Sequence, residues 1–295
     1  MIQIIDKLYS KLPHTNVVNR SFRYGVRVIA NWWVRYFMPI NEKCRDINDN
    51  TIIVSLTTYP ARIKIVWMTI ACLLNQDYLN MRVILWLSKE QFQSLSDLPI
   101  QLLKLQKKGL IIRFKEDDLR SHKKYYYAFS EYPNNIVVTV DDDILYHPHI
   151  ISALVETYQQ RPKDVICNRA VNIDKQNNYS SWSIVTDASS SWKILPTGIG
   201  GVLYPPKSLD DRVFDIETIK QTCLNGDDLW LNFMCRLQGT KVTKSSFKTG
   251  LITILSSQET ALCKSNCGEN KNDQQIKSIS QWATSQMNID FFYRV

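Results

Sequence analysis

The chain has 295 residues, of which 44% are hydrophobic, so it is long enough to bury the core of one large α/β domain. Its formal net charge of +8 at pH 7 favours polyanionic partners: nucleotides, nucleic acid or an anionic membrane surface. Uncharged apolar stretches of roughly 18 residues, which a membrane-spanning helix needs, are absent, and Met1–Pro13 lacks the apolar centre of a signal peptide. The cysteines are scattered, and Cys263 and Cys267 have no matching pair. We therefore predict free thiols rather than zinc ligands, and a cytoplasmic protein.

The first segment, residues 1–49, is predicted to contain a helix over Val17–Met38 that ends at Pro39. One set of positions at helical spacing is apolar or aromatic: Phe22, Val26, Ile29, Trp33 and Phe37. A second set is basic: Arg20, Arg23, Arg27 and Arg35. A cationic helix with an aromatic face is suited to the membrane interface, where apolar burial and attraction to anionic lipids add. Packing of the helix against its own domain is the alternative, and the sequence does not separate the two.

From Thr51 the pattern alternates between strands and helices. Strands are predicted over Thr51–Leu56, Arg82–Leu87, Leu110–Phe114, Ile136–Val140 and Val165–Asn168. Helices are predicted over Lys64–Leu74, Glu90–Lys107, Lys123–Tyr132 and from Pro148 to about Arg161. This alternation predicts an α/β fold with a mainly parallel sheet flanked by helices. We expect one domain over 50–262, with a nucleotide-binding half (50–168) and an acceptor half (169–262), and a C-terminal tail (263–295) that is polar over Ser265–Gln275.

Three consecutive aspartates, Asp141, Asp142 and Asp143, follow the apolar strand Ile136–Val140. The carboxyl end of a buried parallel strand is where open α/β sheets bind ligands. Because adjacent carboxylates repel one another, a divalent cation with a preference for oxygen ligands, Mg²⁺ or Mn²⁺, would stabilise them. The pattern therefore predicts metal-assisted chemistry on a phosphorylated substrate. A solvated acidic turn is the alternative.

Other polar residues are predicted at the same edge of the sheet. Arg62, in the loop after the first strand, is suited to stacking on a base or pairing with a phosphate, or is a surface charge. Asp117 and Asp118 follow the strand Leu110–Phe114, where one could accept hydrogen bonds from a base or ribose, or either could cap a helix. Lys123 and Lys124 open the next helix, where a lysine can neutralise a diphosphate; a solvent-facing lysine pair is the alternative.

Four motifs carry a resemblance to a known family. They are Val-Ser-Leu-Thr-Thr-Tyr-Pro-Ala-Arg-Ile (54–63), His-Lys-Lys-Tyr-Tyr-Tyr-Ala-Phe (122–129), Val-Asp-Asp-Asp-Ile-Leu-Tyr (140–146) and Asn-Gly-Asp-Asp-Leu-Trp-Leu-Asn (225–232). With the order of elements over about Thr51–Cys235, they resemble the GT-A fold of nucleotide-sugar-dependent glycosyltransferases, specifically the bacterial family-2-like enzymes of surface polysaccharide synthesis.

The resemblance implies a site for a metal and a nucleoside diphosphate sugar. By this likeness Asp141 and Asp143 hold Mn²⁺ or Mg²⁺, with Asp143 the direct ligand and Asp141 or Asp142 nearer the ribose. The remaining implied donor contacts are Thr57, Tyr59, Arg62, Lys124, Gly200 and Gly201. The two glycines belong to a glycine-bearing strand beneath the donor sugar, where absent side chains allow close approach; a tight turn is the alternative.

The resemblance also implies a general base at the acidic helix start 225–232. Asp228, or otherwise Asp227, would take the proton of the acceptor, since the helix dipole stabilises an ionised carboxylate there; a plain N-cap is the alternative. One departure is that many relatives supply a histidine ligand from the C-terminal region. All four histidines of this chain precede Ile150: His14, His122, His147 and His149. Either water then completes the metal shell or the metal is held more loosely.

The function predicted from these features is metal-dependent transfer of a sugar, with inversion, to a hydroxyl of a glycan or lipid-linked saccharide. A nucleotidyltransferase or sugar-phosphate transferase is the alternative within enzymes, although the glycine-rich basic loop typical of those enzymes is missing after the first strand. A basic nucleic-acid-binding protein is the alternative from another class, but no recognised nucleic-acid module is present and we predict no nucleic-acid partner.

Overall fold

The computed structural model describes residues 1–13, 16–42, 46–260 and 270–295, so Cys263 and Cys267 lie outside the described residues. The helices are α1 Ile2–Lys11, α2 Val17–Tyr36, α3 Val66–Leu74, α4 Ile100–Gln106, α5 Lys123–Glu131, α6 Ile150–Gln160, α7 Ile216–Thr222, α8 Asp227–Gln238 and α9 Lys271–Met287. The strands are β1 Ile52–Thr57, β2 Met81–Ser88, β3 Leu110–Lys115, β4 Val137–Thr139, β5 Ile144–Leu145, β6 Val165–Cys167, β7 Ala170–Asn172, β8 Ser190–Ser191, β9 Ile194–Pro196, β10 Val202–Tyr204, β11 Val242–Lys244 and β12 Ile252–Thr253.

The central sheet has the strand order β3-β2-β1-β4-β10-β6-β11-β8. The neighbours β3, β2, β1 and β4 are parallel, as are β6 and β11, whereas β10 and β8 run antiparallel to their neighbours. The predicted α/β fold with a mainly parallel sheet is therefore confirmed. In the β1–β4 pair Ser55 lies opposite Thr139, so the loop after β1 and the aspartates after β4 leave the sheet at the same edge.

Both faces of the sheet are covered, which explains why its central strands lack alternating polarity. Val54 belongs to a core cluster that includes residues of α3, and its neighbour Ile53 belongs to another that includes Ala128 of α5. Every residue of β2 is buried. A strand that contacts helices on both sides reads as a continuous apolar run rather than as an alternating one.

The predicted helix over Glu90–Lys107 is wrong in its first half. The chain instead forms a short 3₁₀ turn at Leu95–Asp97, and α4 begins only after Pro99. A capping box between Ser94 and Asp97 satisfies backbone groups at the start of that turn. Proline within a helix would remove a backbone hydrogen bond, so α4 starts directly after Pro99 rather than continuing through it.

Helices at both ends pack on the sheet domain. The predicted helix Val17–Met38 is present as α2, which ends two residues earlier, and it contacts α1, α3, β5 and β12. The sequence did not predict α1. At the other end, α9 contacts α7 and α8 and buries Ile276, Ile279 and Ala283, within the segment predicted to be a C-terminal tail. These three positions follow helical spacing, so α9 presents one apolar stripe to the core.

The described cysteines Cys72, Cys167, Cys223 and Cys235 are free and buried. Burial raises the pKa of each of these thiols to about 12, so none is a thiolate at neutral pH. None of the helices in the described ranges combines the length and the hydropathy that crossing a membrane requires.

Candidate active site

Asp142, the middle aspartate after β4, points into the protein and holds Arg62. One carboxylate oxygen accepts a hydrogen bond from Arg62 Nη1 at 2.5 Å, and the other accepts one from Thr58 Oγ1 at 2.5 Å. Burial raises the pKa of Asp142, and Arg62 and Thr58 oppose that shift. With Asp142 only 6% exposed, both of its carboxylate oxygens are occupied by the protein itself. The geometry therefore does not support the predicted contact of Asp142 with the ribose.

Asp143 shares the same arginine. Its Oδ2 atom lies 3.1 Å from Arg62 Nη2 and accepts a hydrogen bond from Ser257 Oγ at 3.2 Å. Burial raises the pKa of Asp143 to about 6, an effect that Arg62 opposes and that Asp141 and Asp142 increase. Arg62 is buried and faces two carboxylates, so it is neither a surface charge nor presented to a base in this structure.

Lys124, at the start of α5, connects the two acidic motifs. Its Nζ atom lies 2.9 Å from Asp141 Oδ1 and 2.8 Å from Asp227 Oδ2. Burial lowers the pKa of Lys124, but Asp141, Asp227 and Asp228 together raise it well above its usual value. The lysine is therefore charged, and it joins the aspartates after β4 to the start of α8. Sequence analysis predicted both motifs but not this contact between them.

The neighbouring carboxylates Asp227 and Asp228 have opposite pKa shifts. Burial raises the pKa of Asp227, but Lys124 and His122 lower it by more, so Asp227 stays ionised. Burial and the Asp227 charge raise the pKa of Asp228 to about 7, while Lys124 opposes the shift. The Gly198 N–H donates to Asp228 Oδ2 at 3.0 Å. Paired carboxylates whose pKa values are pushed apart are typical of sites for acid–base catalysis.

Gly198 is the glycine that contacts this cluster. A Cβ atom at Gly198 would lie 2.7 Å from Asp141 Oδ1 and 3.0 Å from Lys124 Nζ. At Gly200 it would lie 2.8 Å from the backbone of Arg169, and at Gly201, where φ is +79°, it would contact apolar side chains. The close approach predicted for Gly200 and Gly201 is thus made to the protein interior, and Gly198 is the residue whose missing side chain leaves room at the site.

The other predicted donor contacts lie at the edge of the same sheet. Thr57 and Tyr59 are partly exposed after β1; Thr57 Oγ1 donates to the Trp86 carbonyl at 2.8 Å. Asp118 is bound within the protein: it pairs with the Lys123 ammonium and accepts a hydrogen bond from Gln91 Nε2 at 2.7 Å. The Asp118 side chain is therefore occupied, and the geometry supports its role in anchoring the turn before α5 rather than a ribose contact.

Asp141 and Asp143 are the residues that suit a divalent cation. Within the described ranges no group of three or more His, Cys, Asp or Glu side chains surrounds one metal position. The described histidines have other contacts: His122 is buried with Tyr125 and the Cys223 carbonyl, His149 pairs with Asp77, and the His147 ring packs against Phe247. His14 lies outside the described residues. Two hard carboxylate donors, with the remainder of the shell from phosphate and water, fit Mg²⁺ or Mn²⁺.

Three residues at the site gave no sequence signal of their own. Tyr146 OH accepts a hydrogen bond from the Asp141 N–H at 2.9 Å, and Arg169 Nη1 donates to Thr197 Oγ1 at 2.8 Å, next to Gly198. Ser257 reaches Asp143 from a turn more than one hundred residues away in sequence. Serine, tyrosine and arginine occur at many positions in the chain, so only the tertiary structure identifies these three residues.

The chain matches no family model and no curated protein. It is similar to solved structures of S. aureus TarS residues 1–349, alone (14% identity, TM-score 0.45) and with UDP-GlcNAc (14% identity, TM-score 0.43). These matches cover 67% of this chain and 58% and 56%, respectively, of the TarS chains. It is also similar to the mannosyltransferase PcManGT from Pyrobaculum calidifontis in complex with GDP-Man and Mn²⁺, at 10% identity and a TM-score of 0.47, over 96% of this chain and 76% of that chain. At these identities the likeness concerns the fold alone.

Proposed function

We propose that the protein is a metal-dependent glycosyltransferase that moves a sugar from a nucleoside diphosphate sugar to an acceptor hydroxyl. The observation that carries this proposal is that Lys124 contacts both Asp141 and Asp227. Asp141 belongs to the carboxylates assigned to the cation, and Asp227 is followed directly by Asp228, whose pKa is raised to about 7. Diphosphate departure needs positive charge, and acceptor activation needs a base. Lys124 and a cation at Asp141 would supply the positive charge, and Asp228 would supply the base.

The donor diphosphate is assigned to the charged edge of the sheet. Lys124 contacts two carboxylates, Asp141 and Asp227, so it can replace one of these contacts with a phosphate oxygen while the other holds the ammonium group in position. Thr57 and Tyr59, partly exposed on the loop after β1, are assigned to the nucleoside. Arg62 is given a positioning role instead, because it holds Asp142 and Asp143 together.

Asp141 and Asp143 would hold Mn²⁺ or Mg²⁺. When bound, the cation supplies Lewis-acid stabilisation of the departing diphosphate. The chain's own contribution is to orient both carboxylates and to favour the ionised form of Asp143 through Arg62. Arg62 counteracts the raised pKa of Asp143, and the Tyr146 hydroxyl fixes the backbone at Asp141.

Asp228 is assigned as the general base. It would take the proton of the acceptor hydroxyl while the acceptor oxygen bonds to the anomeric carbon and the bond from that carbon to the diphosphate oxygen breaks. A single displacement of this kind inverts the anomeric centre. The Gly198 N–H orients the Asp228 carboxylate, and Asp227, bound to Lys124, is a positioning residue. Because the base must be deprotonated, activity is expected to rise with pH through about 7.

The acceptor is proposed to be a glycan or lipid-linked saccharide of bacterial surface polysaccharide synthesis, and the enzyme is proposed to act in the cytoplasm at the inner face of the cell membrane. A nucleotidyltransferase or sugar-phosphate transferase would also use carboxylates and a metal. The raised pKa of Asp228 beside the cation site favours deprotonation of a hydroxyl acceptor, which supports sugar transfer.

The test is a panel of nucleoside diphosphate sugars screened by thermal unfolding with Mn²⁺. A ligand that binds only the folded state raises the melting temperature by mass action. We expect stabilisation by one nucleotide sugar, loss of that stabilisation with excess chelator, and release of the nucleoside diphosphate in the presence of acceptor. Stabilisation by nucleoside triphosphates, with release of pyrophosphate, would instead identify a nucleotidyltransferase.

A further inference from the structure

Exposed hydrophobic side chains are concentrated on the first two helices. Among the described residues 17 large hydrophobic side chains are exposed, and 12 of them lie within the first 37 residues. The twelve are Met1, Ile4, Leu8, Val17, Val18, Phe22, Tyr24, Val28, Ile29, Trp32, Tyr36 and Phe37. Single exposed apolar residues are ordinary on protein surfaces, but a contiguous group of this size marks an interaction surface.

The same stretch carries most of the chain's net positive charge. Residues 1–37 contain six Lys and Arg and one acid, a net +5 of the chain's +8. Lys7, Lys11, Arg20 and Arg35 are exposed. The single acid, Asp6, is buried and accepts hydrogen bonds from the Gly250 N–H and Thr249 Oγ1. The exposed side of the helix pair therefore presents basic side chains and aromatic rings, and residues 1–37 contribute no exposed carboxylate to it.

The opposite side of the two helices is fixed to the domain. Asn31 donates to the Thr253 carbonyl at 3.2 Å and accepts from the Leu255 N–H at 3.1 Å. The Arg23 guanidinium lies 3.8 Å over the Tyr9 ring and donates to the Tyr9 carbonyl at 2.8 Å, which joins α2 to α1. Because these contacts set the rotation of both helices, the exposed side chains cannot turn into the core.

We propose that the outer surface of α1 and α2, called here the docking face, binds an anionic lipid bilayer. Apolar side chains entering the interface and basic residues attracted to anionic headgroups act together in such binding. Trp32 packs against Phe37 and Tyr36, with the Trp32 and Phe37 ring centroids 4.7 Å apart, and the exposed Arg35 guanidinium lies 5.6 Å from the centroid of the Tyr36 ring. A second copy of the chain is a poor occupant, since it would bring a net +5 against a net +5.

One chain segment, residues 253–257, connects α2 of the docking face to the candidate active site. The segment 253–257 that binds Asn31 of α2 also donates from the Ile254 N–H to the Asp143 carbonyl at 2.8 Å, and from Ser257 Oγ to the Asp143 carboxylate. Bilayer binding is thus expected to hold the aspartates near the membrane surface. Binding itself is independent of the proposed function, whereas its use for a lipid-linked acceptor rests on it.

The experiment is flotation of the full-length protein with vesicles of phosphatidylcholine, with and without phosphatidylglycerol. We expect binding to the anionic vesicles only, weakened at high salt. Arg20→Gln with Arg35→Gln should weaken it by roughly fivefold per charge removed, and Phe22→Ser with Trp32→Ser by at least as much. The matched control is Leu79→Ser with Ile100→Ser, because Leu79 and Ile100 are each 59% exposed elsewhere on the surface.

Three results would overturn the proposal: equal binding to neutral and anionic vesicles, equal loss in the control variant, or a wild-type dimer that Phe22→Ser with Trp32→Ser converts to monomer. Thermal stabilisation by the nucleotide sugar is measured on every variant and should be unchanged. Failure of vesicle binding with that stabilisation intact refutes the docking face alone. Lack of stabilisation in the wild type, with vesicle binding intact, refutes the proposed donor instead.

Discussion

Replacement of Asp228 by Asn tests the general base with little change of shape. Asparagine keeps an oxygen that can accept the Gly198 N–H, now 3.0 Å from Asp228 Oδ2, but it cannot take a proton. Loss of a general base lowers turnover by roughly two to four orders of magnitude. We therefore expect kcat to fall by that amount while the affinity for the donor is little changed. Single-turnover kinetics with donor titration measures both quantities.

The same variant has a predicted effect on stability. Folding raises the pKa of Asp228 from 3.8 to about 7, and at about 1.36 kcal/mol per pKa unit this shift has an upper limit of about 4 kcal/mol. The folded state holds this proton to higher pH than the unfolded state does, so the aspartate lowers the free energy of unfolding as pH rises from 3.8 to about 7. Asp228→Asn removes that loss and should be the more stable protein at pH 8.

Urea unfolding of the wild type and of Asp228→Asn across this pH range isolates the contribution of one group. Asp227→Asn is the control, because it removes a partner of buried Lys124 and should lower stability instead. A wild-type rate that does not change with pH near 7, or a kcat within tenfold of wild type in Asp228→Asn, would refute the assignment. If only Asp227→Asn loses turnover while keeping donor affinity, the two roles are exchanged.

Three further variants test the rest of the site. Asp143→Asn should abolish Mn²⁺-dependent stabilisation by the nucleotide while the metal-free protein stays as stable or becomes more so, since crowding among carboxylates is relieved; unchanged Mn²⁺ dependence would contradict this. Arg62→Met should cost about 3–5 kcal/mol of unfolding free energy in urea titrations, because it leaves buried Asp142 without its cation, and Arg62→Lys should cost less. Gly198→Ala should lose activity, since its Cβ would lie 2.7 Å from Asp141 Oδ1, whereas Gly25→Ala, with open space around the Cβ, should not.

Local sequence signals were sufficient for strands β1, β2, β3, β4 and β6 of the central sheet, but not for β8 or β11. The run Ile136–Val140 before the three aspartates identified a buried strand, and β4 lies within it, at the centre of the sheet. The helix prediction over Glu90–Lys107 failed because its apolar spacing, which indicates a helix, runs across Pro99, a residue that precedes a helix rather than continuing one. The helix α9 was not predicted because its three buried apolar residues, Ile276, Ile279 and Ala283, are separated by polar residues.

The roles of single side chains were harder to predict, because they depend on pairings between distant segments. Arg62 was expected to contact a nucleotide, but the fold places it 2.5 Å from Asp142, a partner eighty residues away. Asp118 looked available in sequence, yet Lys123 and Gln91 occupy it. A sequence indicates that a charge lies near a site, whereas only the tertiary structure decides whether another charge has already neutralised it.

Charge balance explains why the site suits both a cation and a base. Five carboxylates meet two cations, Arg62 and Lys124: Asp141, Asp142, Asp143, Asp227 and Asp228. Lys124 keeps Asp227 ionised, whereas burial, together with the neighbouring negative charges, raises the pKa of Asp143 to about 6 and of Asp228 to about 7. A divalent cation at Asp141 and Asp143 would reduce this negative charge. Burial, together with the carboxylate crowding that favours a metal, therefore gives Asp228 the proton affinity that a base acting near neutral pH needs.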